Sequence, residues 1–429
     1  MSYAVVNGKL RWGYVFIIGL GFFTTSITWT LYNSYVPIFL RNIIESSPYW
    51  SVVLAGVINT FIGFIMILDN IAAITLQPYI GAKSDKTWTK FGRRMPYIMV
   101  GIPIAALFFA LIPLQQDLIA IILIITIFNI AMALYRAPVV ALMPDLIPSE
   151  HRSRANGVIN FMGGVGAVYG FLIGSYLYQF YGPFITFLTT SVIMIIALII
   201  LFIYVKEPKK PFEREKPIGI VKAFREVFGE KEKSGMFMLL AIMFWFFSYN
   251  VIETWFTTYG KLVVGIPEYL ASRILTGLAL MFILFAIPAG IIADKIGRRN
   301  TIRIGIVGII ILLILANFTM DVMALFIIFT LIGIFWAMIN INSIVIVWEI
   351  GGEAKLGAYT GLYYFFSQLA AIFGPLLAGV VFDLVGFGAM YPLSIAYMIV
   401  ALICMMFVKR GEAKESKVEV TEALGEVEM

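Results

Sequence analysis

Twelve long apolar stretches leave few alternatives for the fold of this chain. Each has about 20 residues or more, which is enough to cross roughly 30 Å of hydrocarbon as an α-helix. Charged residues make up only 13% of the 429-residue sequence, against about 25% in soluble domains. Strict alternation of apolar and polar residues is absent, so we expect an all-α integral membrane protein. The stretches, numbered here as segments 1 to 12, are 14–37, 51–80, 97–114, 118–143, 156–181, 184–205, 236–260, 270–293, 301–317, 321–348, 356–382 and 389–408.

The basic residues predict how these segments cross the membrane. If the N-terminus lies inside, the inner connections and tails hold 27 of the 31 Lys and Arg residues. The outer loops then hold Arg41, Lys261 and Arg273, and Arg136 lies within segment 4. This distribution follows the positive-inside rule, with both termini in the cytoplasm and a multi-pass chain in the cell membrane. The net charge of +6 therefore indicates topology and not a nucleic-acid partner.

A repeated connection divides the chain into two halves. The sequence GAKSDKTWTKFGRRMPY (81–97) follows segment 2, and GIIADKIGRR (290–299) follows segment 8. Both begin with glycine and contain Asp-Lys followed by Gly-Arg-Arg, and the two arginine pairs lie 205 residues apart. The connections after segments 4 and 10 repeat at an offset of 204, with an acidic residue twelve positions before a glycine.

The repeat predicts two parallel, pseudo-symmetric bundles of six helices. The N-terminal half comprises residues 1–205 and the C-terminal half residues 236–408. A basic cytoplasmic linker, 206–235, joins them, and 409–429 is a charged tail that we expect to be disordered.

These connections resemble those of a known family. Gly290–Arg299 is similar to the signature loop of the major facilitator superfamily. The first copy, SDKTWTKFGRRMPY, and the segment YRAPVVALMPDLIPSEHRSRANG (135–157) resemble the sucrose/proton symporter-like branch, near the glycoside–pentoside–hexuronide:cation symporters. The resemblance implies the major facilitator fold, with a substrate site near mid-membrane between the halves. It also implies transport of a sugar or glycoside.

The prediction of the coupling ion depends on a difference between segment 2 of this chain and the same helix of related transporters. Melibiose-type members of the family carry two aspartates four residues apart, the second just before a proline. This chain has Ala73 and Gln77 before Pro78. We therefore expect no sodium coupling through such a pair and favour a proton over sodium as the coupling ion.

Three charged residues lie inside apolar segments, where each costs roughly 2.5–3.5 kcal/mol on insertion scales. They are Asp69 in segment 2, Arg136 in segment 4 and Glu253 in segment 7. From the inner ends of their helices, Asp69 lies about 18 Å deep and Arg136 about 12 Å, so the two side chains are able to pair. We expect Asp69 to bind the coupling proton under the control of Arg136. The alternative is a static ion pair that ties segments 2 and 4 together.

Further polar residues are predicted to line a central cavity. The offset of 204 places Asn340 of segment 10 at the level of Arg136, and Glu253 shares a face of segment 7 with Tyr249 and Asn250. Single polar residues in membrane helices are more often contacts between helices, but here they recur on segments 1, 4, 7 and 10. The predicted substrate-binding set is Asn33, Arg136, Asn160, Tyr249, Asn250, Glu253, Trp336, Asn340 and Gln368.

The repeated connections also predict a cytoplasmic gate. Acidic residues end segments 2, 4, 8 and 10, and basic residues follow them, so charges of both signs meet at the inner face. Exposed ion pairs are individually weak, which suits a closure that has to open. We expect them to pair within and across the halves when the outer side is open. The predicted gate comprises Asp85, Arg93, Arg94, Asp145, Arg152, Arg154, Asp294, Arg298, Arg299, Glu349 and Lys355.

Together these features favour a secondary active transporter that moves a sugar or glycoside in symport with a proton. One alternative is a proton-driven exporter of drugs or metabolites with the same fold. Another is a non-transporting membrane sensor, for which the linker and tail are short. No Walker motif or metal-ligand cluster is evident, so we expect no enzymatic activity, no cofactor and no metal. We expect a monomer in the lipid bilayer that binds a small sugar-like molecule.

Overall fold

The computed structural model describes residues 5–6, 9–207 and 220–412. Apart from a short antiparallel hairpin, β1 (Val5–Val6) and β2 (Lys9–Leu10), these residues form helices joined by short turns. The helices are α1 (Trp12–Ser46), α2 (Pro48–Val53), α3 (Ile58–Met66), α4 (Leu68–Lys86), α5 (Met95–Leu111), α6 (Leu118–Leu146), α7 (Ser149–Val168), α8 (Ser175–Tyr204), α9 (Ile220–Gly229), α10 (Ser234–Tyr259), α11 (Glu268–Ile296), α12 (Arg298–Asn317), α13 (Val322–Val385) and α14 (Met390–Phe407). Short π- or 3₁₀-helical turns extend some of them, at Tyr169–Gly174, Gly260–Val264, Ile112–Leu114 and Phe387–Ala389.

Eleven stretches in the described part of the chain are long and apolar enough to span a membrane. One of them, Arg154–Tyr204, has 51 residues and contains Gly182, whose backbone is not helical (φ 80°). Because one crossing needs about 20 residues, this stretch contains two crossings that meet at Gly182. The described residues therefore form twelve crossings, as predicted.

The long helix α13 also contains two crossings. It continues from Val322 to Val385, yet the Trp348 indole N–H donates to the Thr360 hydroxyl at 2.8 Å. Twelve residues of straight helix would separate these side chains by about 18 Å, so the chain turns back between them. Segments 10 and 11 are accordingly Val322–Gly351 and Gly357–Val385.

The other segments follow directly. Segment 1 is α1, segment 2 is α3 with α4, segment 3 is α5 and segment 4 is α6. Segments 5 and 6 share α7 and α8, segments 7 to 9 are α10 to α12, and segment 12 is α14.

Twelve crossings place both ends of the described chain on one side. The terminal end, as it is called here, carries the start of α1, the end of α14 and the connections near residues 90, 147, 220, 297 and 354. The far end carries the connections near residues 55, 116, 182, 266, 320 and 387.

Aromatic and aliphatic side chains fill each half. In the N-terminal half, Phe109 of α5 stacks on Phe187 of α8 with ring centroids 4.5 Å apart. In the C-terminal half, Phe256 of α10 meets Phe329 of α13 at 4.4 Å. Since lipid tails are as apolar as these side chains, close packing holds such helices together more than transfer from water does.

Two aspartates cap helices at the far end. Asp117 accepts a hydrogen bond from Ala120 N at 2.9 Å before α6, and Asp321 accepts one from Ala324 N at 2.7 Å before α13. Each satisfies one of the first N–H groups, which have no partner within the helix itself. Both caps lie within a single half.

The linker helix α9 packs on the C-terminal half. Phe224 meets Phe365 and Phe366 with centroids 5.3 and 5.8 Å apart, and Phe228 stacks on Phe366 at 6.3 Å. Residues 208–219 of the predicted linker lie outside the described residues.

The predicted tail begins with ordered contacts. Lys409 N and Arg410 N donate to Ser234 Oγ at 2.8 and 3.2 Å, at the start of α10. Residues 413–429, which we predicted to be disordered, lie outside the described residues.

Candidate functional site

A cavity of about 430 Å³ lies between the two halves. Segments 1, 4 and 5 line it from the N-terminal half, and segments 7, 8 and 10 from the C-terminal half. Arg136 faces it ten residues before the end of α6, about 15 Å from the terminal end and thus near the middle of the hydrocarbon. The volume is within the range of about 300–1,000 Å³ found for small-molecule sites.

Five residues of the predicted substrate-binding set meet at this cavity. Arg136 lines it from the N-terminal half, and Tyr249, Glu253, Trp336 and Asn340 line it from the C-terminal half. The cavity thus combines a guanidinium group, a carboxyl group, an amide and aromatic rings.

Asn33 does not line the cavity itself but contacts Glu253, which does. It lies on α1, and its side chain lies beside the carboxyl group of Glu253 from the opposite half. Tyr249 lies beside the same carboxyl group. Segment 1 and segment 7 therefore approach each other at the edge of the cavity.

Aromatic rings form one wall of the cavity. Tyr249 and Trp336 stack face to face, with centroids 4.6 Å apart and planes 8° apart. Phe246 meets the Trp336 ring edge-on at 5.5 Å. Such contacts fix the ring orientations, so the wall presents defined flat faces.

Arg136 is the cation of the cavity. Its side chain makes no hydrogen bond with other described residues, and no described carboxylate lies within 4.0 Å of its guanidinium group. Asp69 lies outside the cavity lining, where its carboxyl group accepts a hydrogen bond from Asn70 at 2.9 Å. The charges of Asp69 and Glu253 are nevertheless near enough to interact with each other, and that of Asp69 with Arg136. The predicted Asp69–Arg136 partners are neighbours without direct contact.

Three predicted residues are not brought to the cavity. Asn160 is exposed on α7. Asn250 donates to the backbone oxygen of Phe246 at 2.7 Å, within its own helix. Gln368 is half-buried on segment 11 and does not line the cavity.

Several lining residues were missed by the sequence analysis. Phe22, Phe171 and Phe282 add apolar faces, but apolar residues in apolar helices give no contrast in the sequence. The sequence does contain one indication of this part of the cavity, the adjacent glycines Gly163 and Gly164 in segment 5. A Cβ at Gly164 would lie 2.6 Å from the Ile283 side chain, so this glycine lets segments 5 and 8 meet beside the cavity.

At the terminal end, four predicted gate residues of the N-terminal half form one network. Arg93 pairs with Asp145 at 2.6 Å and with Asp85 at 3.7 Å. Arg94 pairs with Asp145 at 2.9 Å, and also with Asp85. Arg94 and Asp145 are both buried, with only 1% of each side chain exposed. This network joins the ends of α4 and α6 to the start of α5.

The remaining gate residues of this half lie beside it. Arg152 donates to the backbone oxygens of Ile147 and Pro144 at 3.1 and 3.0 Å, so it caps the C-terminal end of α6. Arg154 is exposed.

The C-terminal half carries a looser arrangement of the predicted gate residues. Arg298 pairs with Glu349 at 3.3 Å, and Lys355 pairs with Glu230 beside the linker helix at 2.7 Å. Asp294 is exposed and has no ion-pair partner in the described part of the chain. The ion pairs described at the terminal end therefore join elements of one half or its linker.

Arg299 pairs with Glu412, a residue of the predicted tail. Its guanidinium donates to Glu412 at 2.8 Å. The pKa of Glu412 lies below its ordinary value: partial burial acts to raise it, but hydrogen bonds from Arg299 and from the backbone N–H groups of Arg298 and Arg299 outweigh that effect.

At the far end, by contrast, hydrogen bonds cross between the halves. The Asp383 carboxylate of segment 11 accepts hydrogen bonds from Asn59 and Thr60 of segment 2 at 2.6–2.9 Å. Tyr178 of segment 5 donates to Glu268 of segment 8 at 3.1 Å. The far end is therefore closed.

All three basic residues of the predicted outer loops contribute to this closure. Arg273 donates to Ser175 at 3.2 Å and stacks over the Tyr176 ring at 3.8 Å. Lys261 donates to the Asn42 side chain at 3.4 Å. Arg41 lies over the ring of Phe387, 5.3 Å from its centroid. Each of these contacts joins one half to the other.

Known proteins resemble this chain in sequence or in fold. The chain matches the Major Facilitator Superfamily over residues 18–275 and 264–427. It is 25% identical over 284 residues to the cis,cis-muconate transport protein of Acinetobacter baylyi, covering 63% of this chain and 68% of that protein. It is 27% identical over 202 residues to the sucrose transport protein SUC3 of Arabidopsis thaliana, covering 38% of this chain and 34% of that one.

A solved structure shares the architecture. The crystal structure of the nucleoside transporter NupG matches with a TM-score of 0.69 over 92% of this chain and 99% of that one, at 15% identity. Twelve crossings, two similar halves and a family match that covers most of the sequence agree with one another. This chain belongs to the major facilitator superfamily.

Proposed function

We propose that this chain is a proton-coupled symporter that carries a sugar-like solute through the cavity by alternating access. The observation that carries the proposal is the composition of the cavity. At mid-membrane, the stacked rings of Tyr249 and Trp336 and the polar groups of Glu253 and Asn340 lie across from Arg136 of the other half. Transporters built from repeated halves bind their substrates at this level, where the halves meet.

The positions of the contacts between the halves support alternating access. By the positive-inside rule, the basic connections favour a cytoplasmic location for the terminal end. The far end is then extracellular, and hydrogen bonds such as that from Tyr178 to Glu268 close it. The ion pairs described at the cytoplasmic end stay within one half. This arrangement corresponds to a state that is open towards the cytoplasm, and transport requires the opposite state as well.

A sugar fits the mixed character of the cavity. The C–H face of a sugar ring is apolar and suits a flat aromatic wall, here Tyr249 with Trp336. Its hydroxyl groups require both donors and acceptors, which Arg136, Glu253 and Asn340 supply. The resemblance to sucrose/proton symporters and the likeness to a sucrose transport protein favour the same class.

An organic acid is the second candidate, favoured by Arg136. This guanidinium has no described carboxylate within 4.0 Å, and arginine binds carboxylates through paired hydrogen bonds. The relative named as a cis,cis-muconate transport protein favours the same solute class.

The three charges near the cavity supply a basis for proton coupling. Arg136 is one positive charge close enough to Asp69 for the two charges to interact, and the carboxyl group of Glu253 lines the same cavity as Arg136. Uncompensated charge is costly in the membrane interior, so a solute that engages Arg136 favours proton uptake by a carboxyl group. Asp69 is the coupling acid in this proposal because it belongs to the same half as Arg136. Glu253, which lines the cavity, contacts the solute.

Uptake into proteoliposomes tests this function. The solutes are a panel of neutral sugars that includes sucrose and a panel of organic acids that includes cis,cis-muconate. We expect a member of one panel to accumulate when the outside is acidic, and a protonophore to abolish the accumulation. Equal uptake with and without the pH gradient would contradict proton coupling. Absence of both uptake and exchange for every solute would contradict both substrate classes.

A further inference from the structure

One carboxylate at the far end makes four hydrogen bonds with the opposite half. Asp383 Oδ1 accepts from the backbone N and the Nδ2 of Asn59 at 2.9 and 2.8 Å. Asp383 Oδ2 accepts from the backbone N and the hydroxyl of Thr60 at 2.7 and 2.6 Å. Both carboxylate oxygens of Asp383, which belongs to the C-terminal half, are thus directed at the start of α3 in the N-terminal half.

Asp383 acts as the N-terminal cap of α3. The residue before α3 is Val57, which has no side chain able to cap the helix. Asn59 and Thr60 are the second and third residues of α3, and their N–H groups are those that a capping side chain normally satisfies. Asp117 and Asp321 cap their helices from the adjoining sequence, whereas this cap comes from the other half.

A neighbouring arginine fixes the orientation of the Asn59 amide. Arg41 donates to Asn59 Oδ1, and it also pairs with Glu45 at 2.6 Å. With its oxygen held by Arg41, Asn59 turns its NH₂ group towards Asp383. The Arg41 guanidinium also lies over the ring of Phe387 in the C-terminal half.

The two helices touch closely beside these bonds. A Cβ at Gly379 of segment 11 would lie 2.4 Å from the Asn59 carbonyl oxygen, and one at Gly63 would lie 2.9 Å from the carbonyl oxygen of Pro375. Backbone therefore meets backbone where Asp383 reaches α3, and the four hydrogen bonds can form only while segments 2 and 11 are in contact.

We propose that Asp383 is a latch that holds the extracellular side closed by capping α3 from the opposite half. The proposal rests on the alternating access of the proposed function. When the far end opens, the carboxylate and the first N–H groups of α3 exchange these bonds for water. An interaction made in only one of two states shifts the equilibrium towards that state, so Asp383 favours the state that is open to the cytoplasm.

Asp383→Asn tests the latch with little change in shape. Asparagine has one acceptor oxygen where aspartate has two, and its NH₂ group cannot accept from Thr60. Asp321→Asn is the matched control, because Asp321 also caps a helix at the far end but within one half. Thr60→Val removes only the 2.6 Å hydroxyl bond, so it should have a smaller effect in the same direction.

The readout is the reaction of a single cysteine that the closed far end covers. Ser34 is buried on α1 and lies 3.5 Å from Ser272 of the other half. The background carries Ser34→Cys, with the buried Cys404 replaced by serine. A membrane-impermeant thiol reagent is applied from the far side, and the labelling rate follows the population that is open there. Since no solute is needed, a failed latch is distinguishable from a failed proposal about the substrate.

We expect Asp383→Asn to raise the labelling rate about tenfold, which corresponds to about 1.4 kcal/mol. Thr60→Val should give a smaller rise, and Asp321→Asn should leave the rate unchanged. Melting curves of all variants verify that they are folded. An unchanged rate in folded Asp383→Asn would overturn the proposal, and so would an equal rise in Asp321→Asn.

Discussion

Glu207 and Glu412 lie 205 residues apart in the sequence and make equivalent contacts in the two halves. Glu207 accepts hydrogen bonds from three backbone N–H groups around the start of α5, at 2.8–3.0 Å. Glu412 accepts from the first two N–H groups of α12, at 2.8 and 3.0 Å. Each carboxylate ties the end of the last helix of its half to the start of the third helix.

Glu412→Gln should lower the thermal stability of the detergent-solubilised chain. The amide keeps one acceptor oxygen and loses the charge that strengthens these bonds. Melting curves should show a lower transition temperature for this variant. Asp294→Asn is the control, since Asp294 is exposed at the same end, and it should melt like the wild type. Equal melting temperatures for Glu412→Gln and the wild type would show that the bonds contribute nothing.

The contribution of Glu412 should also depend on pH. Its pKa is lowered because the hydrogen bonds from Arg299 and the adjoining backbone outweigh the effect of partial burial. A carboxyl group with a lowered pKa stabilises the fold above its ordinary value of about 4.3, and this stabilisation is lost as the pH falls through the lower, folded-state value. The difference in melting temperature between wild type and Glu412→Gln should therefore be full at pH 7 and shrink below about pH 4. A difference that stays constant with pH would contradict this.

Asp294→Asn should slow transport even though it leaves stability unchanged. In the state described, Asp294 has no ion-pair partner in the described part of the chain. We expect it to gain one when the halves close at the cytoplasmic end. The variant should therefore exchange solute more slowly and keep its cytoplasmic side open for longer. Normal exchange, with normal labelling of cysteines placed on that side, would remove Asp294 from the gate.

Gly379→Ala should hinder closure of the extracellular side. The new Cβ would lie 2.4 Å from the backbone oxygen of Asn59, so segments 2 and 11 must separate, at a cost of about 1–3 kcal/mol. Gly388→Ala is the matched control at the same end, because nothing lies within 4 Å of its Cβ position. Slower exchange is expected in the first variant only. Similar rates in both would show that the close crossing is unimportant.

Asn340→Ala should weaken solute binding without changing the fold. Its amide lines the cavity, and a lost hydrogen bond to a bound solute costs about 1–3 kcal/mol when the partner stays buried. Asn160→Ala is the control, because Asn160 is exposed and lies away from the cavity. Binding measured by solute-induced thermal stabilisation should drop for Asn340→Ala alone. A similar drop for Asn160→Ala would mean that the solute binds elsewhere.

The sequence predicted which charged residues line the cavity better than it predicted how the cavity walls pack. Arg136 and Glu253 stand out because charge in a membrane helix is costly, and both line the cavity. The face-to-face contact of Tyr249 and Trp336 was not predictable, since it depends on how segments 7 and 10 pack. Asn250 does not line the cavity, because its amide donates to the backbone of its own helix.

The contacts at the terminal end and the far end were also not predictable from the sequence. The 205-residue offset that revealed the repeated arginines also relates Glu207 to Glu412, but one acid in a charged segment gives little signal. Asp383 lies near the end of an apolar segment, where an acid is unremarkable in sequence. Its proposed role depends on a contact with Asn59 and Thr60, more than 320 positions away, which only the packing of the halves brings about.

Asp69→Asn in proteoliposomes tests the central claim, proton-coupled transport, most directly. Asparagine imitates the protonated, neutral acid, so the variant should still bind solute and exchange it across the membrane. It should lose the accumulation that a pH gradient drives in the wild type. Glu253→Gln, measured in parallel, should mainly lower affinity. If Asp69→Asn exchanges solute but no longer concentrates it, the proposed coupling holds; if it concentrates solute as the wild type does, Asp69 is a structural residue and the account of coupling is wrong.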